Sequence, residues 1–378
     1  MIKIPFLNLR EANLPIEPEI LDAVNRVVKS GWFILGNELK NFERQLADDL
    51  RGKNFGFVAG CNSGTDALIL SLKAAGVNRG DEVITVSHTA IPTVAAIVTV
   101  GAIPVFVDID PATWVMDVRN VKAAVTPKTK AIVPVHLYGN MVDVHAIKKI
   151  LRELNREDIK IIEDCAQAQG STLQNLQAGT LGDFGAFSFY PSKNIGALGD
   201  AGAVFTADES AHKKILSYRN YGQKDRYHAD VIGGLNSRLD EIQAAVLSVK
   251  LKHLHTWIAQ KSRLMDAYRA ALADTPLTFQ TVTQGCSPAW HLCVVKLNEN
   301  FSRDDFQARL LDAGLQTLVH YPLPNHLQPA FKNFCRTPLP VTESLANQIL
   351  SLPFSHTLYE STFNQITAII KSVANQFK

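Results

Sequence analysis

Short hydrophobic runs recur along the first half of the chain, and longer amphipathic or mixed stretches separate them. The runs lack strict alternation of polar and apolar residues, as expected for strands that are buried on both faces of a sheet. They are predicted at Phe55 to Ala59, Glu82 to Val86, Ile103 to Val107, Ala131 to Val135, Lys160 to Ile162, Phe184 to Phe189 and Ala203 to Thr206. Strands separated by helices predict an α/β fold whose large domain has a mostly parallel sheet flanked by helices.

Amphipathic stretches predict the helices. Glu38 to Leu50 and Glu209 to Tyr218 carry apolar residues at helical spacing, and a long helix is predicted to begin at Ser237 as its N-cap. The uncharged segment from Ala90 to Val107 approaches the length of a membrane span, but two prolines and a glycine interrupt it. We therefore interpret it as a buried helix followed by a buried strand.

The pattern of short hydrophobic runs ends after Thr206, and fewer strands are predicted from there on. Beyond about Leu254 the pattern predicts a few strands and two helices, which suggests a second, smaller α/β domain. These elements are Leu292 to Leu297 and Gln316 to Val319 as strands, and Asp304 to Ala313 and Thr342 to Leu350 as helices. We predict a large domain over residues 1–250 and a small C-terminal domain over residues 251–378.

Composition narrows the class of protein. The chain has 378 residues, 46% of them hydrophobic and 20% charged, which is typical of a globular enzyme of two domains. A formal net charge of +2 gives no electrostatic reason to expect nucleic acid or a membrane surface as a partner. Five cysteines without a Cys-x-x-Cys pair, and an N-terminus without a secretion signal, predict a cytoplasmic protein with unpaired thiols.

Lys193 is the first candidate for chemistry. The aromatic-rich strand from Phe184 to Phe189 ends before Pro191, and glycines follow Lys193 closely, so this lysine lies on a tight turn at a strand end. An amine enclosed by apolar walls loses solvation and becomes a nucleophile. On these residues alone, a solvated surface lysine in a glycine-rich loop is the alternative.

Two further motifs lie at predicted strand ends. Gly60 to Thr65 connects a strand to a helix, where free N–H groups and the positive helix end favour an anion, although a plain glycine turn is the alternative. Ser188 could donate to the same anion. Glu163 and Asp164 are adjacent in a strand and so point to opposite faces, which leaves one carboxylate facing the site, or an ordinary acidic strand end.

Histidines offer a weaker signal. His253 and His255 have the spacing of two metal ligands, but the sequence places no third ligand near them, so no metal site is predicted. His88 and His136 follow predicted strands at the same edge of the sheet. We interpret His136 as a structural histidine.

An amine, an anion cradle and a carboxylate at strand ends are the groups that a pyridoxal phosphate enzyme requires. Seven ordered motifs, covering nearly the whole chain, resemble the sugar-nucleotide aminotransferases, a family of fold type I pyridoxal phosphate enzymes. The motifs are Gly31 to Gly36, Ser63 to Leu68, Val135 to Gly139, Glu163 to Gln167, Ser188 to Gly202, Asn236 to Ala245 and His320 to Pro322.

The resemblance implies roles for individual residues. Lys193 would hold the cofactor as a Schiff base, Asp164 would pair with the pyridine nitrogen, and Gln167 would bond the ring hydroxyl. The cofactor phosphate would be held by Gly64, Thr65 and Ser188. Asn236 would reach the phosphate of a neighbouring subunit, so the family implies a homodimer with shared active sites.

One position departs from the family pattern. Members commonly carry an aromatic residue after the threonine that corresponds to Thr89, stacked on the cofactor ring, whereas this chain has Ala90. We expect His88 to supply the stack instead. L-Glutamate is the family's usual donor, and the freed Lys193 would move a proton between the donor's α-carbon and the cofactor.

Within the family, the segments from Tyr221 to Tyr227 and from Asn236 to Asp240 resemble most the branch that aminates C3 of dTDP-linked 3-keto-6-deoxyhexoses. The candidates for the wall of the nucleotide-sugar site, with plain packing as the alternative, are Tyr190, Tyr221, His320 and Tyr321. The runner-up substrate is a GDP- or UDP-linked 4-keto sugar. A dehydratase relative would have a histidine in place of Lys193, and a cofactor-binding sensor without turnover is a further alternative.

Overall fold

The computed structural model describes residues 3–50 and 56–377. Over these ranges the strands are β1 Phe57–Cys61, β2 Glu82–Val86, β3 Ile103–Val107, β4 Thr129–Ile132, β5 Lys160–Asp164, β6 Thr172–Leu173, β7 Leu176–Gln177, β8 Phe184–Ser188, β9 Gly202–Thr206, β10 Gln223–Asp225, β11 His228–Ala229, β12 Leu277–Phe279, β13 Cys286–Ser287, β14 Cys293–Leu297 and β15 Ile349–Leu352. The first predicted strand is confirmed from Phe57 onward, and its start at Phe55 lies outside the described residues.

The helices alternate with the strands of the first half and dominate the second half. They are α1 Leu9–Asn13, α2 Glu17–Ser30, α3 Asn37–Leu50, α4 Gly64–Ala74, α5 Ile91–Thr99, α6 Val121–Ala124, α7 Val144–Glu153, α8 Glu209–Tyr218, α9 Glu241–Leu251, α10 Leu254–Ala271, α11 Arg303–Asp312, α12 Pro340–Gln348 and α13 Glu360–Ala374. The segment from Ala90 to Val107 is a buried helix and a buried strand, as predicted.

A seven-stranded sheet, in the order β1-β9-β8-β5-β4-β2-β3, forms the centre of the larger part of the chain. The neighbours β3, β2, β4, β5 and β8 are parallel, and β9 is antiparallel to both β1 and β8. The predicted α/β fold with a mostly parallel sheet is confirmed. Because every strand except β9 runs the same way, their carboxyl ends meet at one edge.

Helices cover both faces of this sheet, and consecutive strand residues enter opposite cores. Ile84 and Ile132 pack on the side that includes residues of α3, α7 and α9, whereas Val83 and Ala131 pack on the side of α4, α5 and α8. Each large side chain that is buried in this way contributes about 1.5–3 kcal/mol to folding. The two cores hold the sheet rigid, so that groups at its carboxyl edge keep fixed positions.

The helix predicted to begin at Ser237 begins at Glu241, and Asp240 is its N-cap. The prediction of Ser237 as the cap was wrong because this hydroxyl has other partners. It donates to Asp66 Oδ2 at 2.7 Å and accepts from the backbone N–H of Asn62 at 3.4 Å. Ser237 therefore ties this segment to the start of α4.

The C-terminal part packs on its own antiparallel sheet, in the order β12-β14-β15. Two predictions were wrong here: Leu350 lies in β15, not in a helix, and residues 316–319 make only an isolated bridge, at Leu318 to Ser351. The pattern also missed α10 and α13. The domain boundary at residue 250 stays a prediction.

The five cysteines are free thiols, as the sequence predicts. In the described part of the chain, no helix combines the length and the apolar character needed to span a bilayer.

Candidate active site

The predicted chemical groups gather at the carboxyl edge of the seven-stranded sheet. Asp164 ends β5, Ser188 ends β8, and His88 follows β2 by two residues. Lys193 lies in the loop that returns from β8 to β9. Ligands of α/β sheets bind beyond this edge of parallel strands. The topology thus places the candidate amine and the candidate carboxylate on the same side of the protein.

Asp164 is a buried carboxylate with few partners. Its Oδ2 accepts from Thr93 Oγ1 at 2.8 Å, and its Oδ1 accepts from the Ala166 N–H at 3.1 Å. Burial raises the pKa of Asp164, and these two hydrogen bonds and the charge of Lys193 oppose the rise only in part. A buried carboxylate with a raised pKa gains from a further cation in contact with it. A protonated ring nitrogen is such a cation.

Glu163, the residue before Asp164, has hydrogen-bond donors around both of its carboxylate oxygens. Its two oxygens accept from the N–H groups of Gly179, Leu181 and Gly182 at 2.6–3.0 Å and from His136 Nε2 at 2.8 Å. His136 and Glu163 are close enough to Cys165 to suggest a metal cluster, but these hydrogen bonds already account for the carboxylate. His136 is structural, as predicted.

His253 and His255, which have the spacing of two metal ligands, face different partners. His255 Nε2 contacts Asp49 Oδ1 at 2.7 Å, whereas His253 Nε2 lies 3.7 Å from Glu19 Oε1. His255 therefore forms a hydrogen bond with Asp49, whereas His253 only lies near Glu19.

Lys193 sits on a tightly closed loop. Its N–H donates to the Tyr190 carbonyl at 2.8 Å, and the Ala197 N–H donates to the Phe189 carbonyl at 2.8 Å. A Cβ at Gly196 would lie 2.3 Å from the Pro191 carbonyl oxygen, so only glycine allows this closure. Burial lowers the pKa of the Lys193 amine to about 8, and nearby Asp164 opposes that shift. A larger fraction of the amine is therefore neutral at physiological pH than for an ordinary lysine.

The start of α4 has the geometry that an anion site requires. Ser63 is the N-cap, and its Oγ accepts from the Asp66 N–H at 3.1 Å. The N–H groups that precede Asp66 in the first turn can therefore donate to an anion. A Cβ at Gly64 would lie 2.4 Å from Ser188 Cβ and 2.9 Å from its Oγ. Gly64, at the start of α4, and Ser188, at the end of β8, therefore lie side by side, while their role in holding an anion stays a prediction.

Gln167 forms hydrogen bonds through both the oxygen and the nitrogen of its side-chain amide. Its Oε1 accepts from the Tyr138 N–H at 2.9 Å, and its Nε2 donates to Tyr321 Oη at 2.9 Å, which leaves one N–H free. Tyr138 Oη donates to the His320 carbonyl and also meets His88 Nε2 at 2.9 Å. Gln167, His88, His320 and Tyr321 are thus linked around one buried tyrosine.

Two histidines beside Lys193 are held neutral. Burial, followed by the charge of Lys193, lowers the pKa of His320 to about 4, and its Nδ1 meets Ser351 Oγ at 2.8 Å. Burial also lowers the pKa of His291 well below its usual value, and Lys193 and Lys261 act in the same direction. His88 is neutral as well, since burial lowers its pKa to about 4.

Three predicted site residues, Tyr190, Tyr221 and Asn236, have exposed side chains in this chain, although the Tyr190 carbonyl accepts from the Lys193 N–H. Tyr190 is 54% exposed and Tyr221 is 46% exposed, and the Tyr221 ring carries the Arg238 guanidinium 5.2 Å from its centroid. Asn236 is exposed and bridges to Asn220. Thr65 is half-buried in the first turn of α4, next to the cradle.

Sequence reasoning missed three groups. Thr93 donates to Asp164, Tyr138 connects Gln167 with His88, and His291 lies near Lys193. Tyr138 belongs to the motif from Val135 to Gly139, which was recognised only as a resemblance. Nothing in the local pattern around Thr93 or His291 indicates their contacts.

These residues fit pyridoxal phosphate. The buried Asp164 lacks the cation that a pyridinium nitrogen would supply, the start of α4 against Ser188 suits a phosphate, and the low pKa of Lys193 suits a bond to an aldehyde. When bound, the cofactor supplies an electron sink for the carbon that exchanges its amino group. This chain would contribute the carboxylate of Asp164, the start of α4 and the amine of Lys193.

Fold and site together define a pyridoxal phosphate-dependent aminotransferase. A family model matches residues 15–371, and the chain belongs to the DegT/DnrJ/EryC1/StrS aminotransferase family.

Relatives match over almost their full lengths. The chain is 43% identical to the erythromycin biosynthesis sensory transduction protein EryC1 of Saccharopolyspora erythraea, over 98% of this chain and 100% of that one. It is 39% identical to a UDP-N-acetyl-3-dehydro-alpha-D-glucosamine 3-aminotransferase of Acidithiobacillus ferrooxidans, over 97% of each. The crystal structure of S. venezuelae DesV with a ketimine intermediate superposes with a TM-score of 0.93 at 37% identity, over 99% of each chain.

Proposed function

We propose that this aminotransferase moves the amino group of L-glutamate to C3 of a dTDP-linked 3-keto-6-deoxyhexose, which gives a dTDP-3-amino-3,6-dideoxyhexose. The observation that carries the chemistry is the amine of Lys193, whose pKa is lowered to about 8 beside the buried Asp164. The choice of sugar rests on the segments from Tyr221 to Tyr227 and from Asn236 to Asp240, which resemble that branch.

Names of relatives support amination at C3 and leave the nucleotide open. Several are dTDP-3-amino-sugar transaminases, from Micromonospora megalomicea, Aneurinibacillus thermoaerophilus and Streptomyces venezuelae. Others are named for UDP-linked 3-dehydro or 3-oxo sugars. A UDP-linked 3-keto sugar is therefore the second candidate, ahead of a GDP- or UDP-linked 4-keto sugar.

The site supports the following roles. Lys193 would bind the cofactor and, once released, carry a proton to or from the donor's α-carbon. Asp164 would hold the ring nitrogen protonated, and the free N–H of Gln167 would reach the ring hydroxyl. The phosphate would lie against Gly64, Thr65 and Ser188. His88, whose Nε2 is fixed by Tyr138 Oη, would face the cofactor ring in place of the usual aromatic residue.

We further propose that two copies of the chain form a homodimer with shared sites. On the loop before α3, Trp32 is 63% and Phe33 is 48% exposed. On the loop after β11, Ile232 is 98% exposed. Exposed apolar groups of this kind favour a protein partner. Asn236 and Tyr221, which are exposed in one chain, would then contribute to the site of the partner.

The nucleotide-sugar wall would combine groups from both subunits. His320 and Tyr321 line this chain's own site, and Tyr190 and Tyr221 would contact the sugar nucleotide in the dimer. Unpaired thiols are consistent with the cytoplasm, which is where we propose the enzyme acts.

Assays with a panel of keto sugars test the proposal. Purified enzyme with glutamate is given dTDP-3-keto, UDP-3-keto, dTDP-4-keto and GDP-4-keto sugars, and the products are identified by mass spectrometry. We expect the dTDP-3-keto sugar to give the highest kcat/KM with release of 2-oxoglutarate. Activity confined to 4-keto sugars would refute the position of amination. Cofactor binding without release of keto acid would instead indicate a sensor.

A further inference from the structure

A small basic cavity lies beside Lys193, which forms part of its wall. The Lys193 loop, the N-terminal segment, α10 and the residues after β15 meet around it. Its polar lining includes Asn13, Ser192, Lys193, Asn194, Lys250, Lys261, His291, His320, Ser355 and His356. Among the described residues that line it there is no aspartate or glutamate. The cavity therefore concentrates positive charge next to the reactive amine.

Two lysines other than Lys193 give the cavity its charge. Lys250 Nζ donates to the Gly196 carbonyl at 2.6 Å, and Lys261 Nζ donates to Asn194 Oδ1 at 2.9 Å. Both partners are neutral, and an ammonium group has three N–H donors. Buried lysines are ordinarily paired with an opposite charge, because an isolated charge is costly to desolvate. Burial lowers the pKa of both lysines to about 8, so most of each is still charged at pH 7.

His291 gives a separate indication of a ligand. This residue is only 6% exposed and lines the cavity. Its Nδ1 has no hydrogen-bond partner among the described residues. The charges of Lys193 and Lys261 both act on this ring, so it lies near both lysines. A buried ring nitrogen without a partner costs free energy that a bound polar group would recover.

We propose that this cavity binds a carboxylate of the amino donor, through Lys250 and Lys261, while the donor's amino group faces Lys193. This inference rests on the proposed function, because it takes the donor to be a dicarboxylic amino acid. Lys193 and Lys261 line the same cavity, so an acid that reacts beside Lys193 has a carboxylate within reach of unpaired ammonium groups.

The test is calorimetric titration of the purified holoenzyme with glutarate, a dicarboxylate without an amino group. In Lys261→Met and, separately, Lys250→Met we expect the Kd for glutarate to rise about tenfold or more, as for loss of a hydrogen bond to a charged group. Lys252→Met, at an exposed position just after α9, is the matched control and should bind like wild type. Lys261→Arg keeps the charge and should retain most of the binding.

Competing results are distinguishable. If both methionine variants bind glutarate like wild type, the proposal is overturned. Chloride or inorganic phosphate binding as tightly as glutarate would also overturn it, since the site would then be a general anion site. If the methionine variants lose kcat but keep their glutarate affinity, the proposal is also overturned, because the two lysines would then only stabilise the loop from Asn194 to Gly196. The titration contains no sugar, so a wrong acceptor sugar would leave its outcome unchanged.

Discussion

Replacing Asp164 with asparagine separates cofactor chemistry from folding at a single position. The carboxylate is buried, accepts only from Thr93 and the Ala166 N–H, and has a raised pKa because of burial. A protonated ring nitrogen against it would form a buried ion pair. Breaking such a pair from one side costs about 3–4 kcal/mol, so we expect kcat to fall about 100- to 1,000-fold.

The same substitution should not weaken the fold of the cofactor-free protein. Because the folded pKa of Asp164 lies above its unfolded value, ionisation of this carboxyl opposes folding. The stability linked to Asp164 is full below the unfolded pKa and is lost as the pH rises through the folded pKa. Asparagine carries no charge, so apo Asp164→Asn should melt at or above the wild-type temperature at pH 7.

Rapid-mixing measurements of 2-oxoglutarate release and thermal melts of apoprotein test both halves. Glu163→Gln is the matched control, because that neighbouring carboxylate holds three backbone N–H groups and His136 and does not face the cofactor. It should lower the melting temperature. If Asp164→Asn loses less than about threefold in turnover, under ~0.7 kcal/mol, the assignment to the ring nitrogen is wrong.

Two further predictions concern the amine and the cradle. The rate at which the apoenzyme binds pyridoxal phosphate covalently should rise with pH through about 8, because the neutral form of Lys193 is the nucleophile. Stopped-flow absorbance measures this rate. A midpoint near 10.5, the ordinary pKa of lysine, would contradict the prediction. Gly64→Ala should raise the Kd for pyridoxal phosphate about tenfold, because the new Cβ would lie 2.4 Å from Ser188 Cβ. Equilibrium dialysis measures the affinity, and wild-type affinity in a normally folded variant would exclude that cradle.

The sheet was predictable because hydrophobic runs dominate its strands. The bounds of β2, β3 and α8 agree with the sequence pattern residue for residue. The pattern failed where tertiary contacts override local preference. Ser237 has the residue type of an N-cap, but its hydroxyl donates to Asp66. Leu350 continues a helical pattern, but it pairs with Val295 in a sheet.

The predictable part of the site is the part that local motifs contain. Asp164 and Ser188 end strands, and Lys193 lies in the loop that follows β8, at the edge where α/β folds bind their ligands. Thr93 and His291 could not be found this way, because the Thr93 contact to Asp164 spans 71 positions of sequence. The burial of Lys250 and Lys261 beside neutral partners is likewise a property of how the helices pack, and no local pattern encodes it.

Glu163 and Asp164 show where sequence reasoning ends. Strand geometry requires that two adjacent carboxylates face opposite sides of a sheet, and it predicts that they cannot share a proton. It does not determine which one is satisfied. The structure gives Glu163 three backbone N–H donors and a histidine, and gives Asp164 one hydroxyl and one N–H. The difference in hydrogen bonding, more than burial, leaves Asp164 as the carboxylate with free capacity for a cation.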